Sequence, residues 1–476
     1  MSISTAFSNA ASGLAASARA VQVVSANIAN AMTPGYATRS LDLAASTLGG
    51  GGGGVRMLGL SRSANTALLG FSRDSRAAAQ QAQALANYRQ AVEAALGLPG
   101  QGISAALADF DSALIRAAER PDLDSRLEAV TSTALDLVGK LASVEQEIQA
   151  QRASADRAIA RDVEALNSGL SRIDSLNDRI VAQRAGGQET VGLEDERELL
   201  ISALAEIVPL RDQMRADGRV VLFTAGGELL LDLEPVVLGF APAPAMEPGM
   251  TTGAGLSGLT LRGRTLDTGP AGPLDGGRLA ASFRIRDVEA PQVQADLDAF
   301  AADLIERFAD PATDSTLAPG SAGLFTDAGS LASAIPGLAG RLAVNVAVLP
   351  AEGGQLWRLR DGLGAVSAGP VGNPASLNAL SAALDRRVAA VPGAAERSLA
   401  QSLAEVLTRH STLRQQGEDM AAIAEGRKAG FEEQLLAQGV DSDAEMQRLL
   451  LIEKAYAANA RIIETADAML RRLLEI

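Results

Sequence analysis

Both ends of this 476-residue chain carry apolar residues at the seven-residue spacing that paired helices require. The seam of residues 1–40, nearly all apolar or small, is Ile3, Phe7, Ala10, Leu14, Ser17, Val21, Val24 and Ile28. The seam of residues 440–476 is Leu449, Ile452, Tyr456, Asn459, Ile463, Ala466, Leu470 and Leu473. Such a seam must be covered by another helix. We therefore predict that the two ends pair as a coiled-coil-like assembly domain, with the rest of the chain inserted between them.

Polar residues and a turn add detail to these seams. Asn459 is the single Asn of the C-terminal seam, and one buried Asn commonly fixes the register of paired helices. Thr33, Pro34, Gly35 and Tyr36 follow the N-terminal helix. Proline disfavours helix in the residue before it and glycine permits positive φ, so we predict that these four residues set the angle at which the chain leaves the helix.

Composition excludes several kinds of chemistry. The chain has no cysteine and one histidine, which excludes disulfides, thiolate metal sites and any site that needs two histidines. The net charge is −15 and no stretch concentrates Lys and Arg, so a nucleic-acid partner is not expected. Neither a basic leader followed by an apolar run nor a membrane span is visible near the N-terminus. We expect no catalytic residue, no metal and no cofactor, and no insertion into a membrane.

The interior is expected to be α+β. Residues 65–310 and 395–439 predict a mainly helical domain, with a β-hairpin region at about 206–280 and a helix over 285–309. The apolar register over 122–185 slips near 150–158, which indicates either a stutter or a break into two helices. Residues 311–394 are punctuated by Gly and Pro and carry strand-like runs, including 355–359, so they are expected to form a small β-rich outer domain. Six consecutive glycines predict a flexible linker or loop over 41–64.

Three motifs could carry chemistry, and each has a simpler structural explanation. Gly253 to Gly258 matches a dinucleotide-binding string, but neither a buried strand before it nor a helix after it is predicted. His410 lies on the apolar register of its helix, as expected for a buried or interface histidine. The acidic run Glu194 to Glu198 suits the first turn of a helix through the helix dipole.

Both ends also resemble a known family. Residues 26–36, Ala-Asn-Ile-Ala-Asn-Ala-Met-Thr-Pro-Gly-Tyr, strongly resemble the N-terminal signature of the bacterial flagellar axial proteins, which include rod, hook and hook-associated proteins. Residues 455–463, Ala-Tyr-Ala-Ala-Asn-Ala-Arg-Ile-Ile, are similar to their C-terminal signature. The interior, with Leu-Asn-Asp-Arg-Ile at 176–180 and Gly-Gly-Arg-Leu at 276–279, resembles hook-associated proteins of the FlgK type. Glu196 departs from the Asp or Gln that relatives usually carry.

The resemblance implies a fold and a location in the flagellum. Terminal helices would form an inner coiled-coil domain around an axial channel, a helical domain would surround it, and a β-rich domain would face outward. The protein would join hook to filament, outside the cell, after export without a cleavable signal peptide by the flagellar type III apparatus. Implied partners are further copies of the chain, hook protein, a second junction protein on the filament side, and an export chaperone at the C-terminal helix.

The candidate interface combines the seams with the signature residues. It comprises Ile3, Phe7, Leu14, Val21, Val24, Asn27, Ile28, Asn30, Thr33, Pro34, Gly35, Tyr36, Leu449, Ile452, Tyr456, Asn459, Ile463, Leu470 and Leu473. Two alternatives remain open: a hook or rod protein of the same family with an unusual interior, and, from another class, a secreted coiled-coil adhesin or effector.

Overall fold

Two pairs of long helices connect the ends of the chain to its middle. The computed structural model describes residues 3–33, 36–48, 51–63, 65–389 and 395–474. Helix α1 (Ile3–Ala29) lies against helix α12 (Ser442–Leu474). Helix α2 (Thr66–Leu96) lies against helix α11 (Leu399–Ala437), which precedes α12 directly. The predicted fold class, α+β with paired terminal helices, is confirmed.

Local capping explains where the second pair starts. Asn65 precedes α2 and its side chain accepts a hydrogen bond from the Leu68 N–H. Ser398 precedes α11 in a capping box, with Ser398 accepting from the Gln401 N–H and the Gln401 side chain accepting from the Ser398 N–H. Both arrangements satisfy backbone donors that a helix start leaves unpaired.

Helix α4 (Asp124–Ala185) is a single 62-residue helix that forms the spine of the middle of the molecule. The register slip near 150–158 is therefore a stutter and not a break. Two buried polar residues occupy it: Asp156 Oδ1 accepts from Arg286 Nη1 at 2.7 Å, and Arg152 Nε donates to the Arg286 carbonyl at 2.8 Å. The apolar seam lapses there because the helix binds charged groups and backbone at that level.

One hydrophobic core packs on the N-terminal half of α4. Its other elements are α3 (Gly102–Glu119), α7 (Ala290–Ala309), β11 (Phe325–Asp327), α8 (Leu338–Arg341), β12 (Leu342–Val344), α9 (Trp357–Asp361), α10 (Ala375–Asp385) and parts of α2 and α11. At its centre Phe110, Phe308 and Phe325 are fully buried, with ring centroids 5.0 to 6.0 Å apart. Strands β11 and β12 form an antiparallel pair.

A second core packs on the C-terminal half of α4. Helix α5 (Val191–Ala205) and the sheet of β3 (Leu210–Met214), β4 (Val220–Thr224) and β5 (Leu229–Leu231) supply most of it. The hairpin predicted near 220–233 is present as β4 and β5. The remaining strands are β6 (Leu238–Gly239), β7 (Thr251–Thr252), β8 (Gly255–Leu256), β9 (Thr260–Leu261) and β10 (Arg264–Thr265).

A π-helical segment interrupts the helix predicted over 285–309. Helix α6 (Gly277–Arg284) comes first, Ile285–Glu289 is π-helical, and α7 follows without a turn. The wider turn points Arg286 into the protein, where it is fully buried, and leaves Val288 55% exposed. Single π turns within α-helices often mark functional positions.

Two expectations for the connecting regions are wrong. Residues 41–64 contain, in their described part, an antiparallel hairpin of β1 (Thr38–Leu48) and β2 (Gly51–Ser63) rather than a linker, because β-branched and leucine residues flank the glycines and pair across the two strands. The region 311–394 is not β-rich and not an outer domain in its described residues. Its strands are three residues long, and most of its leucines belong to the first core. The strand predicted over 355–359 is absent, since Trp357–Asp361 form a helix.

Candidate assembly interface at the paired terminal helices

Two contacts define how α1 lies on α12. Asn27 Nδ2 donates to Glu445 Oε2 at 3.2 Å, and Gly13 lies directly against the side chain of Asn459. Residues 13 and 27 are separated by the same fourteen positions as residues 445 and 459, in the opposite direction. The helices are therefore antiparallel with a constant register over four turns.

The same register explains why the two seams differ in residue size. It places Ala20 opposite Ile452 and Ala6 opposite Ala466, which is 5% exposed. Small residues on α1 thus recur opposite α12 at seven-residue intervals, with Gly13 facing Asn459 and Ala20 facing the larger Ile452. This lets the helix axes approach closely at Gly13, where any side chain would displace that of Asn459.

The predicted residues of α1 lie at different depths. Val24 and Asn27 are buried, Phe7 is 43% exposed, and Ile3, Leu14, Val21, Ile28 and Asn30 are half-buried. The buried stripe also includes Ala16 and Val23, which lie beside the predicted seam. Thr33 is exposed and Tyr36 half-buried, while Pro34 and Gly35 lie outside the described residues.

The predicted residues of α12 are mostly uncovered. Leu449, Ile452, Asn459 and Ile463 are half-buried, Tyr456 is 42% exposed and Leu470 is 43% exposed. The side chain of Leu473 lies outside the described part of the chain. Among the described side chains of α12, only Glu445 and Ala466 are buried. One chain therefore covers a narrow strip of this helix.

Asn27 is the polar centre of the interface and is completely buried. Its Oδ1 accepts from the Tyr36 hydroxyl at 2.8 Å and from the Arg39 N–H at 3.1 Å. Its Nδ2 donates to the Arg39 carbonyl at 2.9 Å and to Glu445. One side chain thus joins the end of α1, the turn after it, strand β1 and the start of α12, which satisfies every polar atom of the amide.

An ion-pair cluster attaches this centre to the middle of the molecule. Arg39 Nη2 donates to Asp195 Oδ2 at 2.7 Å, and Arg62 Nε lies 2.8 Å from Asp195 Oδ1. The Arg39 guanidinium also lies 4.7 Å from the centre of the Tyr36 ring. Burial raises the pKa of Tyr36, and the nearby Arg39 charge opposes that rise. Strands β1 and β2 are thereby held to α5 through one carboxylate.

The hairpin also packs along α1. The Val55 N–H donates to Ser12 Oγ at 3.1 Å, and a Cβ at Gly54 would come 2.2 Å from the same oxygen. Gly54 has φ of +87°, so this position needs glycine on both counts. The glycine run therefore serves close packing against α1, at least at this residue.

Sequence reasoning missed Gly13, Glu445 and Asp195. A glycine in the interior of a helix costs stability and signals a close approach, so Gly13 was detectable in principle. Glu445 and Asp195 gave no signal, because acidic residues near helix starts are ordinary.

The residues considered for catalysis are engaged in structure. Each charged residue of the run 194–198 has a partner: Glu194 with Arg184, Asp195 with Arg39, Glu196 with Arg172, Arg197 with Asn177, and Glu198 with Arg73. Burial raises the pKa of Glu194, but hydrogen bonds from Thr190 and Arg184 outweigh it, so the pKa is lowered. His410 is 5% exposed and its Nε2 lies 3.0 Å from Asp296 Oδ2. The described residues contain no cluster of three acidic or histidine side chains placed to hold a metal.

Residues 253–258 adopt no nucleotide-binding geometry. Strands β7 and β8 are two residues long, and β9 follows them where a dinucleotide fold would place a helix. Across the described ranges, no helix is both long and apolar enough to span a bilayer.

Three family models match the chain. "Flagellar hook-associated protein FlgK helical domain" matches residues 89–323, "Flagellar basal body rod FlgEFG protein C-terminal" matches 434–476, and "Flagella basal body rod protein" matches 7–36. The two terminal models coincide with the α1 and α12 segments, and the helical-domain model covers α3 to α7.

Curated relatives agree with the family models. Flagellar hook-associated protein 1 of Escherichia coli (strain K12) and that of Salmonella typhimurium are each 26% identical over 301 residues, which is 60% of this chain and 53% of each relative. The chain spans about half the length of these relatives. The solved structure of the flagellar hook junction protein FlgK from Burkholderia pseudomallei is 22% identical with a TM-score of 0.44, covering 53% of this chain and 46% of that one.

Proposed function

This chain belongs to the FlgK-type family of bacterial flagellar hook-associated proteins, and we propose that it joins the hook to the filament by self-assembly through its terminal helices. The family supports a structural component of the flagellum. The match of the helical-domain model to residues 89–323 favours the junction over a rod or hook protein, which would share only the ends.

The observation that carries the proposal is the uncovered apolar surface of α12. Its residues that are between 42% and 66% exposed are Met446, Leu450, Leu451, Tyr456, Ile462, Met469 and Leu470. A soluble monomer rarely leaves so many large apolar residues exposed along one helix. Burying them against α1 and α12 of neighbouring copies would release about 25 cal/mol per Å² of apolar surface.

The proposed mechanism couples ordering of the terminal helices to assembly. Each copy contributes an antiparallel α1–α12 pair, held in register by Gly13 against Asn459 and by Asn27 against Glu445. A lone helix pair buries too little to be stable far from a core, so neighbouring copies stabilise it by covering it. The ion pairs of Asp195 with Arg39 and Arg62 fix the position of the helix pair relative to the helical domain.

The proposed partners follow from this location. On each side the junction would contact hook protein and a second junction protein, besides further copies of itself. Before export the apolar face of α12 needs cover, which a chaperone bound to the C-terminal helix would supply. We propose export without a cleavable signal peptide through the flagellar type III apparatus to the outside of the cell.

Deletion of residues 446–476 tests the proposal. The shortened chain should remain folded, with its Trp357 environment unchanged, because both hydrophobic cores lie before residue 446. It should no longer form assemblies in sedimentation and should not support filament attachment. A milder variant, Leu450→Ser with Leu451→Ser, should weaken assembly in the same direction.

Exposed apolar residues elsewhere provide the control. Val366 and Val371 are 99% and 60% exposed in the segment between α9 and α10, so Val366→Ser with Val371→Ser removes a similar exposed apolar surface. This variant should assemble normally. If the deletion instead unfolds the whole chain, residues 446–476 belong to an ordinary core and the proposal is wrong.

A further inference from the structure

Glu145 is a buried carboxylate that lacks a hydrogen-bond donor. It lies on α4 beside Val144 and Ile148 of the first core and is 8% exposed. Within the part of the chain that the structure describes, its side chain takes part in no hydrogen bond or ion pair. An ionised carboxylate in such a place costs free energy, whereas a protonated one costs much less. The charge of Glu145 therefore opposes the packing around it.

The carboxylate lies directly against helix α8. A Cβ added to Gly340 would come 2.9 Å from Glu145 Oε2 and 3.1 Å from its Cδ. The φ angle of Gly340 is not positive, so its backbone would accept most residues and space is what the position lacks. The turn of α8 leaves room for the Glu145 carboxylate because residue 340 has no side chain.

A second carboxylate lies at the same turn. Asp298 of α7 accepts from the Gly337 N–H at 2.8 Å through Oδ2 and from the Ala339 N–H at 2.9 Å through Oδ1. These two bonds hold the start of α8 on α7. The negative charge of Asp298 also disfavours a negative charge on Glu145.

The positive charge that faces Glu145 makes its hydrogen bonds elsewhere. Arg341 of α8 donates from Nε to Asp327 Oδ1 and from Nη1 to the Pro336 carbonyl, each at 2.9 Å. Strand β12, which also packs on α4, contributes no titratable residue. Burial and the Asp298 charge together outweigh the attraction of Arg341, so the pKa of Glu145 is raised.

We propose that Glu145 makes the segment 325–344, which we call the flap, a pH-sensitive element of the helical domain. The flap comprises β11, α8 and β12. It opens from α4 more readily when Glu145 is charged and stays closed when Glu145 is protonated. Opening widens a cavity of about 500 Å³, which Pro336 and Leu338 of the flap border together with Pro291 of α7. This device lies apart from the terminal helices and does not depend on the proposed function.

Two carboxyl groups set the pH range of the device. A carboxyl group whose pKa is raised on folding favours the folded state in acid, and for Glu145 this contribution is lost as the pH rises from the ordinary value of 4.5 through the folded value. Asp327 has the opposite dependence. The hydrogen bond from Arg341 lowers its pKa, so its contribution is present above the ordinary value of 3.8 and is lost as the pH falls through the folded value. These two groups together place the firmest closure of the flap between pH 3.8 and 4.5.

Amide hydrogen exchange of the full chain in dilute solution tests the proposal. It is read as protection factors, which correct for the intrinsic effect of pH on exchange. In the parent chain the amides of residues 325–344 should be about fivefold less protected at pH near 7 than at pH near 4.5. Glu145→Gln should remove this difference by raising the protection near pH 7 about fivefold, while the amides of α12 stay unchanged. Glu147→Gln is the control, because Glu147 is exposed on the same helix, and it should keep the pH dependence of the parent.

Glu145→Leu provides a second variant, since it removes the polar group altogether where Gln leaves an amide. It should protect the flap near pH 7 at least as well as Glu145→Gln does. Flap protection in the parent chain that does not fall between these two pH values overturns the proposal. A fall that persists in both variants also overturns it, as does a flap that is less protected near pH 7 in both variants than in the parent.

Discussion

Gly13 of α1 lies directly against the side chain of Asn459 of α12, which would have to move to admit a methyl group at position 13. A Cβ at position 13 would lie 2.7 Å from Asn459 Nδ2 and 3.0 Å from its Cγ. Glycine in the interior of a helix ordinarily costs about 1 kcal/mol relative to alanine. We therefore propose that a less stable α1 is tolerated because it lets the two helices approach closely, and that Asn459 sets their register by its steric fit against Gly13.

Gly13→Ala should consequently destabilise the α1–α12 pair, although the substitution favours helix. Overpacking of this kind costs about 1 to 3 kcal/mol, which exceeds the gain in propensity. Hydrogen exchange of backbone amides in residues 3–29 and 442–472 should become faster, and assembly should weaken. Adding Asn459→Ala should restore slow exchange because it removes the atoms that clash.

Gly426→Ala is the matched control for the glycine substitution. Gly426 lies within α11, and a Cβ there would meet nothing within 4 Å. This variant should be as stable as the parent chain or slightly more stable, by about 0.5 to 1 kcal/mol. If Gly13→Ala behaves in the same way, the close approach at Asn459 does not constrain the pair.

Asn27→Asp should disrupt the polar centre by placing two carboxylates together. The new carboxylate would replace the Nδ2 that now donates to Glu445 Oε2 at 3.2 Å. We expect a loss of about 3 kcal/mol in local stability at neutral pH, seen as faster amide exchange in α1 and α12. The loss should shrink as the pH is lowered, because one shared proton relieves the repulsion.

A second substitution separates charge from shape at this position. Asn27→Asp with Glu445→Gln restores one donor and one acceptor with the polarity reversed, so most of the protection should return. Persistent fast exchange in the double variant would mean that Asn27 acts through the Arg39 carbonyl and not through Glu445.

The seven-residue spacing predicts the terminal pair well because burial of one helix face leaves a periodic trace in sequence. The spacing predicts less well how deeply each residue is buried. Phe7 and Leu470 fit the pattern and are 43% exposed, since each helix of the pair presents more apolar width than one partner covers. The polar contacts of the interface leave no such trace. Asn27 and Glu445 are 418 residues apart, and nothing local to either residue indicates the other.

In the interior, too, the sequence predicts the helices but not their long-range polar contacts. The leucine and valine spacing of α4 predicts its helical nature over most of its length. The slip at 150–158 is explained by Arg152 and Asp156, whose hydrogen-bond partners lie 87 or more residues away in the sequence. The region 311–394 was mispredicted because Gly and Pro indicate turns between strands and between short helices equally. The packing of Phe325 and Leu338 in the first core, which the sequence does not indicate, shows that this region is part of the helical domain.

Asp195→Asn should loosen the hairpin without unfolding the cores. It removes the charge shared by Arg39 and Arg62, whose side chains are 23% and 15% exposed. Charge-assisted hydrogen bonds of this kind are worth about 1.5 to 3 kcal/mol. Amides of β1 and β2 should exchange faster, while urea unfolding followed by the single tryptophan, Trp357, should change little. Glu189→Gln is the control. The side chains of Glu189 and Arg19, which form an ion pair, are 52% and 35% exposed, so this pair should contribute under about 1 kcal/mol.

The contact between Asp296 and His410 should make the helical domain sensitive to acid. Burial raises the pKa of Asp296, but the hydrogen bond from His410 and the Arg409 charge outweigh it, so the pKa lies below its ordinary value of 3.8. A depressed carboxyl pKa contributes stability that is present above the unfolded value and is lost as the pH falls through the folded value. Asp296→Asn should therefore lower the free energy of unfolding by about 1.5 to 3 kcal/mol at pH near 7. This difference should narrow once the pH falls below about 4.

Urea unfolding at several pH values, followed by Trp357 fluorescence, measures this difference, since α7, α11 and the tryptophan helix α9 border the same core. Asp109→Asn serves as the control because Asp109 is exposed and forms no ion pair within the described ranges. It should shift the unfolding free energy by less than about 0.5 kcal/mol at every pH. A difference for Asp296→Asn that stays constant down to the lowest pH would show that the Asp296 side chain acts only as a neutral hydrogen-bond acceptor, and that the charge of Arg409 does not stabilise its ionised form.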